Sequence, residues 1–202
     1  DYERRSYDCY LRNEHREALA ARELALAEYE AVGDVTRQGD THRWLSRLAW
    51  FVGDNVRAER EAMHAVRLLE DAPARGPELA MAYSNVAQLG MLDGRADDAV
   101  SWGEQAIALA EGLGEQEILA HALNNVGTSL MVTTDGGEPE LRRSIELALS
   151  IGDAETACRG YCNLAWVLVA RHEMVAADTA VAEGLALAVG AVNGLLVAVL
   201  KL

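Results

Sequence analysis

The sequence predicts an all-α protein built from repeated pairs of helices, and three observations support this fold class. Half of the 202 residues are apolar, yet only one is Phe and three are Pro, and no run alternates apolar and polar residues as a half-exposed strand would. Small residues recur in one helical pattern about every 40 residues. Turns that contain Gly separate the segments that carry this pattern. Helical repeats of this kind stack on their neighbours and bury a continuous core.

An Ala marks the start of the inward face of the second helix in most repeats. Ala18, Ala58, Ala99 and Ala177 follow one another at steps of 40, 41 and 78 residues, and the last step covers two repeats. Small residues follow three of them at spacings of four and three, which places each triplet on one stripe where a neighbouring helix can approach closely. The triplets are Ala58/Ala62/Ala65, Ala99/Gly103/Ala106 and Ala177/Val181/Gly184.

The first helix of a repeat has its own signature, sixteen residues before that Ala. An aromatic or other large residue is followed, three and four positions later, by an apolar residue and a small one. The N-terminal unit carries Arg5 and Ser6 where the others have this pair, which is typical of a terminal repeat. The matching groups are His42 with Leu45-Ser46, Tyr83 with Val86-Ala87, Leu123 with Val126-Gly127 and Tyr161 with Leu164-Ala165.

Glycine turns predict the element boundaries. Gly33, Gly114 and Gly152 are expected to end second helices, because Gly takes the left-handed conformation that a helix end needs. Gly53-Asp54 and Asp93-Gly94 are expected to separate the two helices of one repeat. The turn that includes Pro139 is irregular. The repeats are therefore predicted near 2–33, 35–73, 77–114, 116–152 and 154–190, with a final apolar helix at 191–200.

The last stretch of the chain, 191–200, has no polar face. It is either the buried first helix of a sixth repeat or an apolar patch that drives self-association, for example as a homodimer. The chain begins with Asp rather than Met, so we expect it to be a fragment of a longer protein. Residues 201–202 are expected to be a cloning scar.

Charge and composition exclude several classes of partner. The net charge of −14 argues against direct contact with a nucleic-acid backbone, which needs clustered basic residues, and against an anionic membrane surface. No apolar run has membrane-spanning length and no secretory signal opens the chain. The three Cys residues are expected to be reduced, and we expect the protein to be cytoplasmic.

The repeats resemble the tetratricopeptide repeat family, whose first helix carries an aromatic residue, an Asn and an apolar–small pair before an Ala in the second helix. The resemblance implies a right-handed superhelical array of about five repeats plus the final helix. The period differs, since it is 38 to 41 residues here and about 34 in the family. The residues that carry the resemblance are Tyr83, Asn85, Val86, Ala87 and Ala99; Tyr161, Asn163, Leu164, Ala165 and Ala177; and, in the irregular repeat, Asn125, Val126 and Gly127.

Two longer phrases, 122–127 (ALNNVG) and 161–166 (YCNLAW), are similar to the repeat region of large ATP-dependent LuxR-type (maltose-regulator-like) bacterial transcription regulators. In that group a nucleotide-binding domain precedes the repeats and a helix-turn-helix DNA-binding domain follows them. The resemblance implies a segment that senses an effector or a partner, with those two domains elsewhere in the full-length chain. This sequence has no GxxxxGK[ST] phosphate loop and no basic recognition helix.

The same resemblance places the first helices along a concave groove that would hold a peptide, a protein or a small-molecule effector. Residues one and two positions after the aromatic site, and those about one turn further on, are expected to face it. The candidate binding residues are Arg43, Trp44, Arg47, Ser84, Asn85, Gln88, Asn124, Asn125, Thr128, Asn163 and Trp166.

Two interpretations of the Asn series Asn85, Asn125 and Asn163 stay open. Each amide can pair with a ligand, because it donates and accepts hydrogen bonds, or it can tie its helix to a neighbour. Arg43 and Arg47 lie one turn apart and can hold an anion, although pairing with nearby carboxylates is the favoured interpretation.

Catalytic, metal and cofactor motifs are not found in the sequence. The five His and three Cys are scattered, and no nucleophile lies at a motif spacing from a base. We therefore expect a non-catalytic binding segment of a signal-responsive regulator. The alternative is a structural scaffold for protein–protein interaction or oligomerisation.

Overall fold

In a computed structural model of the chain, residues 1–134 and 136–199 are described, and they form α-helices and no β-strand, as predicted. The short turns between the helices carry the Gly and Asp residues named above. The helices are α1 (Tyr2–Leu11), α2 (His15–Val32), α3 (Val35–Phe51), α4 (Asn55–Glu70), α5 (Pro77–Leu92), α6 (Ala96–Leu113), α7 (Gln116–Thr133), α8 (Glu138–Ile151), α9 (Ala154–Ala170) and α10 (Met174–Val199).

Consecutive helices pack as five pairs, from α1 with α2 to α9 with α10. The first helices also contact one another along the array, α3 with α5, α5 with α7 and α7 with α9. Each second helix from α2 to α8 contacts the first helix of the next pair. The result is the two-layer stack of a tetratricopeptide-like array, with the odd-numbered helices as one continuous layer.

Gly–Asp pairs stop one helix and start the next. Gly33 and Gly152 adopt the left-handed conformation at the ends of α2 and α8, with φ of 71° and 77°. Asp34 and Asp153 then accept a hydrogen bond from the backbone N–H three residues later, each at 3.0 Å. A side-chain cap of this type satisfies one of the N–H groups that a helix start leaves unpaired. Asp54 does the same for α4.

The predicted small-residue stripe is buried throughout in α4 but only in part in α10, where Ala177 is 4% exposed. Ala58, Ala62 and Ala65 are at most 1% exposed, which lets α4 pack closely against its neighbours. In α10, by contrast, Val181 is 55% exposed. Within the described part of the chain, no further repeat covers that face of α10.

The expected final helix continues α10 rather than following a turn. α10 runs from Met174 to Val199, so residues 191–199 share a helix with the second half of the fifth pair. Gly190 lies at the predicted boundary but does not have the positive φ of the turn glycines, and a lone helical Gly lowers stability without ending a helix. Residues 200–202, including the expected cloning scar, lie outside the described residues.

None of the helices in the described ranges combines the length and apolarity needed to cross a bilayer.

Candidate binding groove

The two ends of the array meet across the layer of first helices. Arg47 on α3 donates to the Tyr10 hydroxyl of α1 at 2.6 Å and to Glu155 Oε1 of α9 at 3.2 Å. Tyr10 also donates to Glu155 Oε1 at 3.3 Å. We call these three side chains the closing bridge. The first and fifth pairs therefore touch although 145 residues separate Tyr10 from Glu155.

A cavity of about 180 Å³, here the aromatic cavity, lies beside the closing bridge. Trp44 forms its wall, with Tyr10 in edge contact at 5.7 Å between ring centroids and Tyr7 at 6.0 Å. The Arg43 guanidinium carbon lies 4.9 Å from the Trp44 ring centroid, within the range of a cation–π interaction. The other residues that line this cavity are Arg47, Met81, Asn85, Glu117, His121, Asp153, Glu155 and Thr156.

A second cavity of about 220 Å³, here the apolar cavity, shares Arg47 and Asn85 with the first. Its walls are mostly aromatic and aliphatic, and Arg159 of α9 is one of its few charged side chains. The side chains that complete it are Trp50, Phe51, Gln88, Leu89, Met91, Leu92 and Asn163.

Arg159 is held by neutral acceptors alone. Its guanidinium donates to His121 Nε2 at 3.2 Å, to the His121 carbonyl at 3.3 Å and to Asn125 Oδ1 at 3.4 Å. Among the described residues no carboxylate oxygen lies within 4.0 Å of it, whereas Arg47 and Arg43 each have one. Burial, followed by the charge of Arg47, lowers the pKa of Arg159 to about 10. The group is therefore still a cation at neutral pH, without a counter-charge in contact.

His121 lies buried beneath these arginines and is neutral. Burial is the main cause that holds the pKa of its imidazole well below the usual value, and the charges of Arg159, Arg47 and Arg43 add to it. Because a guanidinium only donates, Nε2 of His121 accepts from Arg159. Nδ1 then carries the proton and donates to Ser84 Oγ at 2.7 Å.

The cavities bring together six of the predicted binding residues. These residues come from three first helices, α3, α5 and α9. Arg43, Trp44, Arg47 and Asn85 line the aromatic cavity, and Arg47, Asn85, Gln88 and Asn163 line the apolar one.

Five predicted binding residues are not on either cavity wall, and this corrects the expectation for them. Ser84, Asn124, Asn125 and Thr128 are at most 2% exposed, because α5 and α9 flank α7 on both sides and cover the positions that the pattern assigned to a groove. Thr128 Oγ1 donates to the carbonyl of Asn124 in its own helix at 2.7 Å. Trp166 is 59% exposed and lines a shallow depression beside Met131 and Arg171 instead.

Each Asn of the series donates to the preceding first helix. Asn85 Nδ2 bonds Ser46 Oγ at 2.9 Å, Asn125 Nδ2 bonds the Ser84 carbonyl at 2.9 Å, and Asn163 Nδ2 bonds Asn124 Oδ1 at 2.7 Å. The donors of all three amides thus tie one repeat to the next. Asn85 and Asn163 nevertheless stand on cavity walls as well.

The sequence pattern missed residues that the structure places in the groove. Tyr7, Tyr10 and Glu155 come from the two ends of the array, and nothing in a single repeat shows that the ends meet. Arg159 could have been predicted from the sequence, because it lies four residues before Asn163 and hence on the same helical face. Counting only forward from the aromatic position of each first helix overlooked it.

Comparison with known proteins identifies the fold. No protein-family model and no curated protein matches the sequence, but solved structures do. The chain is similar to a Rap protein complexed with Competence and Sporulation Factor, with a TM-score of 0.81 at 15% identity, over 93% of this chain and 53% of that one. It is also similar to aspartyl phosphate phosphatase F from Bacillus subtilis, with a TM-score of 0.71 at 16% identity, over 94% of this chain and 50% of that one.

A third similar structure is a signal transduction ATPase with numerous domains, with a tetratricopeptide repeat sensor, from Pyrococcus horikoshii. The TM-score is 0.63 at 17% identity, and the match covers 96% of this chain and 31% of that one. The chain thus spans about half the length of the first two proteins and about a third of the last. At these identities the likeness shows the fold, a tetratricopeptide-like helical array.

Proposed function

We propose that the chain is a non-catalytic binding segment whose groove holds a short peptide, or a peptide-like effector, through an anionic group. The observation that carries the proposal is Arg159, a cation on a cavity wall with only neutral acceptors around it. Arg47 of α3 lines the same cavity. A guanidinium binds a carboxylate in a bidentate geometry. An anionic ligand would therefore provide the contacting counter-charge that Arg159 lacks among the described residues.

The size of the groove favours a ligand that spans both cavities. Each cavity, at about 180 and 220 Å³, is smaller than the roughly 300–1,000 Å³ of most ligand pockets, while the two together fall within that range. Arg47 of the closing bridge lines both cavities. Because the Glu155 side chain is 64% exposed, its ion pair with Arg47 contributes at most about 1 kcal/mol, and a ligand carboxylate can replace it at little cost.

A sensor role in a larger regulator is the wider context that we propose. The Pyrococcus protein is named as a signal transduction ATPase with a tetratricopeptide repeat sensor, and the Rap protein as a complex with Competence and Sporulation Factor. Both names support a binding role for an array of this fold. We propose accordingly that the full-length chain also carries an ATPase domain and a helix-turn-helix domain, as in a signal-responsive transcription regulator.

Peptide pools of defined charge test the binding proposal. Fluorescent hexapeptide pools enriched in acidic, neutral or basic residues are titrated against the wild type and Arg159→Gln, with fluorescence anisotropy as the readout. The acidic pool is expected to bind best, and Arg159→Gln to weaken its binding by at least about tenfold, the loss of one charge-assisted contact.

The matched control is Arg142→Gln, which removes an exposed arginine that pairs with Glu138 within α8 and lies on neither cavity wall. It is expected to leave binding unchanged. Equal binding of the acidic pool by the wild type and Arg159→Gln, or no preference among the pools, contradicts the proposal.

Self-association is a second candidate function, favoured by an apolar stripe on α10. Val181, Leu185 and Val189 follow at spacings of four and are 55%, 63% and 51% exposed. Three neighbouring apolar side chains on one face favour burial against another surface. Sedimentation velocity over a range of concentrations tests this role. A dimer that becomes monomeric in Leu185→Glu supports the assembly role, and a monomer at all concentrations excludes it.

A further inference from the structure

A second polar cluster lies inside the second helix pair and lines neither cavity. It consists of His42 on α3 with Glu61 and His64 on α4, and one ligand atom from each lies within 4.8 Å of the others. His42 Nδ1 is 2.7 Å from Glu61 Oε2, and the centroids of the two imidazole rings are 4.1 Å apart. His42 and Glu61 are buried and His64 is half-buried.

The fold does not require ionisable side chains at these positions. In the third repeat, 41 residues further along, the same three positions carry Tyr83, Trp102 and Gln105. There Tyr83 and Trp102 form an aromatic pair, with centroids 5.5 Å apart. An aromatic pair therefore fills this place in the next repeat. Burying the Glu61 carboxylate and the His42 imidazole instead costs desolvation energy, which packing does not explain.

The chemistry of the donor set matches a transition-metal ion. Two imidazole nitrogens and one carboxylate oxygen are a common ligand set for Zn²⁺, with water in the fourth position. Ligand atoms of tetrahedral Zn²⁺ at the usual bond lengths lie about 3.3 Å apart. His42 Nδ1 and Glu61 Oε2 are already 2.7 Å apart, and one ligand nitrogen of His64 lies within 4.8 Å of a ligand atom of each of these residues.

The second oxygen of Glu61 is fixed by arginines. Arg60 contacts Glu61 Oε1 at 3.0 Å and Arg57 contacts it at 3.5 Å, while Oε2 faces the imidazoles. Outer contacts of this kind orient a metal-binding carboxylate and favour one-oxygen coordination. The same positive charges weaken cation binding, so we expect an affinity below that of a site without them.

We propose that His42, Glu61 and His64 bind a divalent transition-metal ion such as Zn²⁺. The ion joins α3 to α4 within one repeat. His42 directly precedes Arg43 and Trp44, so the site also fixes the helix that carries the wall of the aromatic cavity.

Titration of the metal-free protein with Zn²⁺ alone tests the proposal. The chain is stripped with a chelator, kept under a non-chelating reductant, and titrated by calorimetry, while Co²⁺ is followed by its visible absorption. We expect one equivalent to bind and to raise the melting temperature, since a ligand of the folded state stabilises it. His64→Gln, which introduces the residue found at position 105, is expected to fold and to weaken binding by at least about tenfold.

His42→Tyr, which introduces the residue found at position 83, should abolish Zn²⁺ binding. If His42→Tyr fails to fold, the result for His64→Gln alone tests the proposal. His172→Asn is the control, because His172 lies in the turn before α10 with a φ of 62°, a conformation that Asn tolerates. It should bind as the wild type does. The proposal is overturned if the wild type binds no Zn²⁺, or if folded His64→Gln and His172→Asn bind it equally well.

Discussion

At the scale of single residues, His121 is a titratable group that folding holds neutral. Its pKa is well below the usual value in the folded chain, whereas an unfolded His has a pKa of about 6.5. Above that pH both states hold it neutral. Below a pH of about 6.5, His121 binds a proton in the unfolded chain but not in the folded chain. The free energy of unfolding therefore falls as the pH drops.

The His121→Gln variant tests this pH dependence. Urea unfolding between pH 7.5 and 5 should show a steeper loss of stability in the wild type than in the variant. The difference in slope approaches the value for one proton, about 1.4 kcal/mol per pH unit. Identical slopes in the two proteins would show that His121 titrates freely in the folded state.

Substitution of Asn125 tests whether its side-chain amide stabilises the fold or binds a ligand. Its side chain is fully buried and donates to the carbonyl of Ser84, so Asn125→Ala leaves that carbonyl without this partner. We expect the free energy of unfolding to fall by about 1–3 kcal/mol, as measured in urea. Peptide affinity of the folded fraction should change far less than in Arg159→Gln. A variant of wild-type stability that has lost peptide binding instead assigns Asn125 to the groove.

At the scale of elements, Gly127 marks the place where α7 and α8 come closest. A methyl group added there would lie 2.5 Å from the backbone nitrogen of Leu141 and 2.8 Å from the Gly137 carbonyl oxygen. Since backbone cannot move aside as a flexible side chain does, Gly127→Ala is expected to destabilise the fold by about 1–3 kcal/mol. A thermal or urea melt measures this.

Gly112 provides the matched control for that substitution. It also lies inside a helix, α6, but nothing stands within 4 Å of an added methyl group. Gly112→Ala should therefore stabilise the protein by roughly 0.5–1 kcal/mol, the usual gain in helix propensity. If both variants shift stability in the same direction, close approach of α7 and α8 is not the reason for Gly127.

The helices could be predicted from sequence because their signals are local. Gly33-Asp34 and Gly152-Asp153 stop and start helices through their own backbone and side-chain geometry, and the Ala stripes need only a neighbouring helix. The groove could not be predicted as well. Whether position 125 is open or buried depends on how α5 and α9 flank α7, and the sequence of a single repeat does not show this.

At the scale of the whole molecule, the closing bridge joins the two ends of the array. Its charges are partly exposed, since the side chain of Arg47 is 20% and that of Glu155 is 64% accessible. Salt screens such pairs over a Debye length of about 8 Å at physiological ionic strength. Glu155→Gln removes the charge and should open the array.

Small-angle X-ray scattering measures this opening. Glu155→Gln should have a larger radius of gyration than the wild type at low salt, and added salt should bring the wild type towards the variant. Because Arg47 is then without its carboxylate, the acidic peptide pool should bind the variant more tightly. Control scattering from Glu138→Gln, which loses an ion pair within α8, should match the wild type. An unchanged radius for Glu155→Gln would falsify the role of the bridge in closure.

Because the first and fifth pairs touch, the distance between Tyr10 and Glu155 reports the combined geometry of all the pairs between them. Each of the four junctions between pairs contributes its own small tilt, and these tilts add up at the ends. We expect a ligand in the groove, the proposed metal ion inside the second pair and a substitution at any junction to alter the same end-to-end distance. One pair of fluorescent labels on α1 and α9 would report all of them, including events that leave the labelled helices themselves untouched.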